Sequence, residues 1–234
     1  MSLPTLPRRT ALVTGATRGI GRELVLQLTA QGVEVYATGR DTELLVQLCK
    51  ETRCRGNTAD LANPAEVLAL YQTACETLRG APDFLINNAG FNNRKAALAE
   101  SSLEEFDLQY AINLRAPYLL CREAMRDMAK RKSGHIVNVI STCALFANET
   151  MGVYTTMKSG LRGLTGVLIK EARQHGVKVT GVYPGGTDTE FRSNHRPDYM
   201  KASSAAAMIV QVLMAPADVV VHELTFRPLV ESNF

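Results

Sequence analysis

The residues best placed to do chemistry are Tyr154 and Lys158, which lie four positions apart in the stretch MGVYTTMKSG. If this stretch begins a helix, both side chains lie on one helix face. A free tyrosine has a pKa of about 10, and a nearby ammonium group stabilises the phenolate and lowers that pKa. Such a tyrosine can give a proton to an oxygen atom, or take one from it, near neutral pH. The alternative is a buried tyrosine beside a solvated lysine.

A glycine-rich loop, GATRGIG, separates the apolar run TALVT from the helical pattern RELVLQLTAQG. Glycines in such a turn let backbone N–H groups and a helix N-terminus approach a pyrophosphate. The spacing G-x-x-x-G-x-G differs from the usual G-x-G-x-x-G, and a plain turn is the alternative. The position after the first strand favours a dinucleotide loop. Its expected contacts are Gly15, Thr17, Arg18, Gly19, Ile20 and Gly21.

The choice between the two nicotinamide dinucleotides depends on charges after the second apolar run. Arg40 stands where a carboxylate would accept the ribose hydroxyls of NAD, and an arginine there can pair with the 2′-phosphate of NADP. Asp41 precedes a helical pattern and is predicted to cap it. Arg18 supplies a second cation. Together the arginines favour NADP(H) over NAD(H), although each alone is also compatible with a solvated surface residue.

Two further polar residues occupy unusual positions. Ser141 ends the apolar run HIVNVIS, thirteen residues before Tyr154, with Thr142 as the competing hydroxyl. Asn113 lies inside a helical pattern that begins with two overlapping capping boxes at Ser101 and Ser102 and runs to about Lys130, and Pro117 follows Asn113 by four residues. Proline has no N–H, so the Asn113 carbonyl loses its regular helical partner. We interpret this as a place for a water that relays protons from the lysine, the alternative being a kink tolerated for packing.

Strand-like and helix-like segments alternate along the whole sequence. The strand-like runs are mostly continuous in apolar residues, as expected for strands covered on both faces. This pattern predicts an α/β fold, a three-layer doubly wound parallel sheet of about seven strands with helices on both faces. We expect a single domain over 1–234, with a short lid at about 190–204. The runs lie at 10–14, 33–38, 53–59, 83–87, 135–141, 177–183 and 219–226.

The composition is that of an ordinary globular protein, with 234 residues, 46% of them hydrophobic, and a net charge of +3. So small a charge favours neither a nucleic acid nor a membrane partner. The five scattered cysteines include no C-x-x-C pair, so we expect no disulfide framework and no metal site. No apolar run approaches the roughly 20 residues of a membrane helix. We therefore expect a cytoplasmic protein.

Five motifs make the chain resemble the short-chain dehydrogenase/reductase family of the Tyr-x-x-x-Lys type. They are TGATRGIG, NNAG, the serine of VNVIS, the Tyr154 and Lys158 pair, and PGGTDT, and they span Arg9 to about Phe191. The resemblance implies that Tyr154 is the catalytic acid or base and Lys158 its partner. It implies further that Ser141 binds the reacting oxygen, and that Asn113 is the fourth catalytic member.

The resemblance also implies cofactor contacts. It assigns Asp60 to the adenine end, and the Thr187 backbone with the Thr189 side chain to the nicotinamide carboxamide. The full set implied outside the glycine loop and Arg40 is Asp60, Leu61, Asn87, Ala89, Gly90, Tyr154, Lys158, Pro184, Gly185, Thr187 and Thr189.

The sequence thus predicts an NADP(H)-dependent oxidoreductase that interconverts a small-molecule carbonyl and a secondary alcohol. Enoyl reductases of related fold would need a tyrosine where Met151 stands. A catalytically silent sensor or scaffold is the other alternative, and such proteins tend to lack one of the four active residues. The family also implies a homodimer or homotetramer. Charged loop residues that would favour an acidic substrate are Arg94, Lys95, Arg192, His195 and Arg196.

Overall fold

A computed structural model describes residues 9–92, 94–191 and 194–232. The strands are β1 (Thr10–Val13), β2 (Glu34–Gly39), β3 (Arg55–Thr58), β4 (Phe84–Asn87), β5 (His135–Val139), β6 (Lys178–Pro184), β7 (Thr187–Asp188), β8 (Met200–Lys201) and β9 (Glu223–Phe226). The α-helices are α1 (Gly19–Ala30), α2 (Thr42–Thr52), α3 (Pro64–Leu78), α4 (Leu103–Tyr110), α5 (Ala116–Arg131), α6 (Gly152–Arg173) and α7 (Ala202–Leu213).

Seven strands form one parallel sheet in the order β3-β2-β1-β4-β5-β6-β9. The order reverses between β1 and β4, which in doubly wound sheets marks the crevice where ligands bind. The seven-stranded parallel fold confirms the prediction. The short strands β7 and β8 pair with each other and were not predicted.

Strand β1 shows why the apolar runs are continuous. Ala11 and Val13 point into one core layer, which α1, α2 and α7 cover, while Leu12 points into a second layer under α3, α5 and α6. All three side chains are fully buried. A strand covered on both faces has no position left for a polar side chain, so the run loses the alternation of a half-exposed strand.

The last predicted strand is four residues shorter than expected, because side chains of β6, and not a backbone ladder, hold the carbonyls of Val219 and Val221. Lys178 donates from Nζ to the Val219 carbonyl at 2.6 Å, and Thr180 donates from Oγ1 to the Val221 carbonyl at 2.5 Å. Val219 and Val220 are exposed. Parallel pairing begins only at Glu223, opposite Gly181.

The long helical pattern from Ser101 is interrupted by a π-helical turn, Ala111–Arg115, between α4 and α5. Within it the Ala116 N–H donates to the Ala111 carbonyl, five residues back. Pro117 follows at the start of α5, where its missing N–H cannot serve the regular pattern. The π turn contains Asn113, whose carbonyl was predicted to lose its regular helical partner, and π turns of this kind often occur at functional sites.

Helix starts follow the predicted capping residues. Asp41 accepts a hydrogen bond from the Leu44 N–H at 3.1 Å, and Ser102 accepts one from the Glu105 N–H at 3.2 Å. Such caps satisfy N–H groups that have no partner inside the helix. Within the described ranges, no helix combines the length and apolar character needed to cross a membrane.

Candidate active site

The predicted catalytic tyrosine and lysine lie at the start of α6, beside the carboxyl end of β5. The Lys158 ammonium donates to the carbonyl of Val139, the last residue of β5, at 3.0 Å. The same Nζ atom lies 5.7 Å from the centroid of the Tyr154 ring. Because Ser141 follows Val139 by two residues, the hydrogen bond brings α6 against the segment that carries the predicted serine.

Burial sets the electrostatics of Lys158. Its side chain is only 2% exposed, and burial lowers its pKa from 10.5 to about 8. The lysine therefore remains mostly cationic at neutral pH but sits close to its titration point. Tyr154 is itself buried. A desolvated cation beside a buried phenol stabilises the phenolate far better than a solvated lysine would.

Ser141 is the more accessible of the two competing hydroxyls, since Thr142 is buried. The Ser141 Oγ accepts a hydrogen bond from the Cys143 N–H at 3.1 Å. This bond uses a lone pair and leaves the hydroxyl hydrogen able to point toward a ligand. The arrangement favours Ser141 as the group that meets a reacting oxygen.

Asn113 is fully buried in the π turn, and its side chain pairs with the backbone of Phe91. Oδ1 accepts from the Phe91 N–H at 2.9 Å, and Nδ2 donates to the Phe91 carbonyl at 2.7 Å. A Cβ placed on Gly90 would lie 3.5 Å from Asn113 Oδ1 and 3.6 Å from Lys158 Nζ. The structure thus brings these predicted residues together. The water relay through the Asn113 carbonyl stays a prediction.

The glycine loop is tied to the NNAG segment. The Asn88 side chain donates to the carbonyls of Thr14 and Gly15 at 3.0 and 3.2 Å, and Thr14 Oγ1 accepts from the N–H groups of Asn88 and Ala89. Gly15 has φ +64°, and a Cβ there would lie 2.7 Å from Ala89 Cα. A Cβ on Gly21 would collide with the Gly15 carbonyl oxygen. Thr14 and Asn88 were missed as individual site residues, although both stand inside the quoted motifs.

The N-terminus of α1 opens onto this loop. Arg18 precedes the first helical residue, Gly19, and makes no side-chain capping bond. The N–H groups of the first turn are therefore suited to an anion. A Cβ on Gly19 would lie 3.1 Å from Thr189 Cγ2, so the PGGTDT loop closes on the glycine loop. Thr17 packs against Gly39, and Ile20 packs against the core.

The two arginines predicted to select NADP(H) are held in different ways. The Arg18 Nη2 atom lies 2.8 Å from Asp41 Oδ2 in an exposed ion pair. The Arg40 guanidinium lies 5.5 Å from the centroid of the Phe91 ring. Phe91 is the residue that Asn113 holds, so Arg40 is connected to the catalytic end of the site through that ring.

Asp60 and Leu61 follow β3, where Asp60 is exposed and Leu61 is buried. Asp60 Oδ1 accepts from the Ala62 N–H at 2.9 Å, and the Asp60 N–H donates to Glu66 at 2.8 Å. This fixes the turn at the outer end of the sheet, where the adenine contact was predicted.

The side chain of Asn87 points into the protein. Its Nδ2 donates to Asn138 Oδ1 at 2.8 Å, Asn138 Nδ2 donates to Thr165 Oγ1 at 2.9 Å, and Thr165 donates to the Leu161 carbonyl at 2.7 Å. This buried polar network joins β4, β5 and α6. Asn87 Oδ1 makes no hydrogen bond to the described residues. Asn138 was missed by the sequence reasoning, and an asparagine inside an apolar strand was the available signal.

The loop after β6 carries the residues predicted for the nicotinamide. Pro184 ends β6, the Gly185 N–H donates to the Phe226 carbonyl at 2.8 Å, and Thr187 Oγ1 donates to the Gly185 carbonyl at 3.2 Å. Phe191 lies with its ring centroid 5.9 Å from that of Tyr154.

The charged loop residues predicted near a substrate have different surroundings. His195 Nδ1 lies 2.8 Å from Asp188, and Arg196 pairs with Asp198. Arg94 shares the lining of a small pocket with Tyr154. Lys95 is exposed. Arg192 lies outside the described residues.

A parallel sheet with a glycine loop after β1 and a Tyr-Lys pair at its carboxyl edge defines a dinucleotide-binding α/β oxidoreductase. The sequence profile of the family described as short chain dehydrogenase matches residues 9–200, and the chain belongs to that family.

Similar sequences and structures support this family membership. An uncharacterized oxidoreductase of Staphylococcus aureus (strain MW2) is 28% identical over 97% of this chain and 100% of its own length. Serine dehydrogenase from Escherichia coli superposes with a TM-score of 0.86 at 25% identity, covering 95% of this chain and 99% of the other. A metagenomic short-chain oxidoreductase in complex with NADP gives a TM-score of 0.85 at 29% identity, covering 95% and 98%.

Proposed function

We propose that this oxidoreductase interconverts a small-molecule carbonyl compound and a secondary alcohol with NADP(H) as its cofactor. The observation that carries the proposal is the buried Lys158 ammonium, which lies beside the Tyr154 ring and is fixed to the end of β5. Burying a lysine costs free energy, so a lysine held this way next to a phenol fits a catalytic role better than a packing role.

The glycine loop supports a dinucleotide cofactor. Gly15 and Gly21 leave no space for side chains, and the N-terminus of α1 has no side-chain cap. When bound, the nicotinamide would supply or accept a hydride. The residues proposed to hold the cofactor are Gly15, Thr17, Arg18, Gly19, Ile20, Gly21, Arg40, Asp60, Leu61, Asn87, Ala89, Gly90, Tyr154, Lys158, Pro184, Gly185, Thr187 and Thr189.

In the reducing direction the carbonyl carbon accepts a hydride while the Tyr154 phenol donates its proton to the oxygen. Lys158 stabilises the resulting phenolate until it is protonated again. Ser141 donates a hydrogen bond to the oxygen as negative charge develops there. Asn113 holds the backbone at Phe91 and so fixes the floor of the site at Gly90.

We propose further that residues 1–234 form a single domain with a short lid at about 190–204. Exposed apolar side chains on α4, α5 and α6, including Phe106, Tyr118 and Val167, support assembly as a homodimer or homotetramer. A groove of about 520 Å³ lies between α5 and α6 on the same face. Light scattering on the purified protein tests the assembly.

The free thiols fit a cytoplasmic location.

The test of function is a panel of ketones, aldehydes, 3-oxoacyl thioesters and 3-oxo acids, run with NADPH and with NADH. We expect cofactor oxidation with at least one carbonyl, faster with NADPH, and its loss in Tyr154→Phe. NADP(H) binding without turnover across the panel would instead indicate a sensor or scaffold. A strong NADH preference would overturn the role given to Arg40.

A further inference from the structure

The end of the described chain folds back onto the loop that follows β6. Glu231 accepts a hydrogen bond through Oε1 from the Gly186 N–H at 3.0 Å. Its other oxygen, Oε2, accepts from the Arg227 Nε at 2.9 Å. The Arg227 and Glu231 side chains are only 4% and 15% exposed. A charged pair from the tail is therefore largely removed from water and fastened to a backbone amide of the loop.

The loop is shaped to receive this pair. A Cβ on Gly185 would lie 2.5 Å from Glu231 Oε2 and 2.9 Å from Arg227 Cγ. A Cβ on Gly186 would lie 2.8 Å from Glu231 Oε1. The two consecutive glycines thus give the tail its close approach, and any larger residue would push it away.

The same arginine reaches a second part of the site. Its guanidinium lies 5.5 Å from the centroid of the Phe146 ring, on the segment that follows Ser141. Arg227 thereby connects the tail to the serine segment while Glu231 connects it to the loop before Thr187. Both tail residues lie beyond residues 9–200, which match the family profile.

From this cluster we infer that Arg227 and Glu231 are positioning residues that hold the loop from Gly185 to Thr189 in the conformation that receives the nicotinamide. The inference rests on the proposed cofactor function. A carboxylate that accepts an amide N–H makes a strong, directional bond, and removing it leaves Arg227 buried without this partner. The loop would then move, while Arg40 and Asp60 at the other end of the proposed cofactor site would not.

This difference between the two ends supplies the test. We would measure the Kd of NADP⁺ and of 2′-phospho-ADP-ribose, which lacks the nicotinamide, by titration calorimetry. In Glu231→Ala we expect the Kd of NADP⁺ to rise about tenfold, with that of 2′-phospho-ADP-ribose unchanged. Glu231→Gln keeps an acceptor for the Gly186 N–H and should recover most of the affinity. Leu229→Ala alters a fully exposed side chain of the same tail and should bind like the wild type.

Circular dichroism and melting curves establish that each variant is folded. If Glu231→Ala does not fold, Arg227→Lys, which keeps the charge and loses the planar guanidinium, should show a smaller loss confined to NADP⁺. Equal losses for both ligands, or unchanged NADP⁺ affinity in folded variants, would overturn the inference. Failure of the wild type to bind either ligand would refute the proposed cofactor function itself.

Discussion

Lys158 extends from α6 to the carboxyl end of β5 and donates a hydrogen bond to the Val139 carbonyl at 3.0 Å. The bond fixes the ammonium group between α6 and β5, beside the Tyr154 ring. Its acceptor, Val139, stands two residues before Ser141. Burial lowers the pKa of this lysine to about 8. The position that serves the proposed chemistry is therefore unfavourable for the charged side chain.

Replacing this lysine should raise the stability of the fold and abolish activity. Below about pH 8 the folded and unfolded chains both carry the charge, so the burial cost is present in full; between about 8 and 10.5 the folded lysine loses its proton first, and the cost fades. Lys158→Met should thus be more stable than the wild type at neutral pH, by up to about 3 kcal/mol, and inactive. Urea denaturation at several pH values measures this. A stability difference independent of pH between 8 and 10.5 would contradict the burial argument.

Removing the phenol oxygen should affect turnover far more than cofactor binding, because Tyr154 is one of many proposed cofactor contacts. In Tyr154→Phe the ring, with its contacts to Phe191, is kept, and only the proton donor is lost. We expect kcat to fall about a hundredfold or more, with the Kd of NADPH within about twofold of the wild-type value. Steady-state kinetics and fluorescence titration measure the two quantities. Tyr110→Phe, at a partly exposed tyrosine of α4, is the matched control.

The sequence was most informative where one local pattern determines the geometry. The glycines at 15 and 21 predicted the tight turn between β1 and α1, which the structure confirms. Continuous apolar runs predicted the buried strands. Asp41 and Ser102 cap their helices as predicted. In each case the physical cause lies within a few residues, so a single sequence carries it.

The sequence was least informative where distant segments meet. Nothing local showed that Thr180 would hold the Val221 carbonyl and shorten the last strand, or that Glu231 would bind the Gly186 amide. The side chain of Asn87, a predicted cofactor contact, also takes part in an interior network whose other members come from β5 and α6, and no local pattern showed this. Such contacts depend on the tertiary fold.

His135 should make the fold sensitive to acid. The Thr180 hydroxyl gives its hydrogen to the Val221 carbonyl, so His135 must donate from Nε2 across 2.8 Å to the Thr180 oxygen. Burial lowers the His135 pKa from 6.5 to about 4. As the pH falls from 6.5 to about 4, His135 becomes protonated in the unfolded chain but stays neutral in the folded chain. The free energy of unfolding therefore decreases, by up to about 3 kcal/mol.

His135→Gln removes this titration, and the urea midpoint should then depend less on pH between 6.5 and 4 than it does in the wild type. His175→Gln, at an exposed histidine, is the control and should keep the wild-type slope. Equal slopes in wild type and His135→Gln would assign the acid sensitivity to other groups.

The buried network of Asn87, Asn138 and Thr165 should behave as one unit. Asn138→Ala leaves the Asn87 amide and the Thr165 hydroxyl each without this partner in the interior, and a buried polar group left unpaired costs about 1–3 kcal/mol. We therefore expect a loss of about 2–4 kcal/mol in the free energy of unfolding. Thr165→Val removes one link and should cost about half as much.

Because both substitutions break the same bond between Asn138 and Thr165, the double variant should lose less than the sum of the single losses. Urea denaturation of the four proteins gives this coupling directly. Strict additivity would show that the two residues contribute independently, and the chain of hydrogen bonds from β4 through β5 to α6 would then have no cooperative role in holding α6 against the sheet.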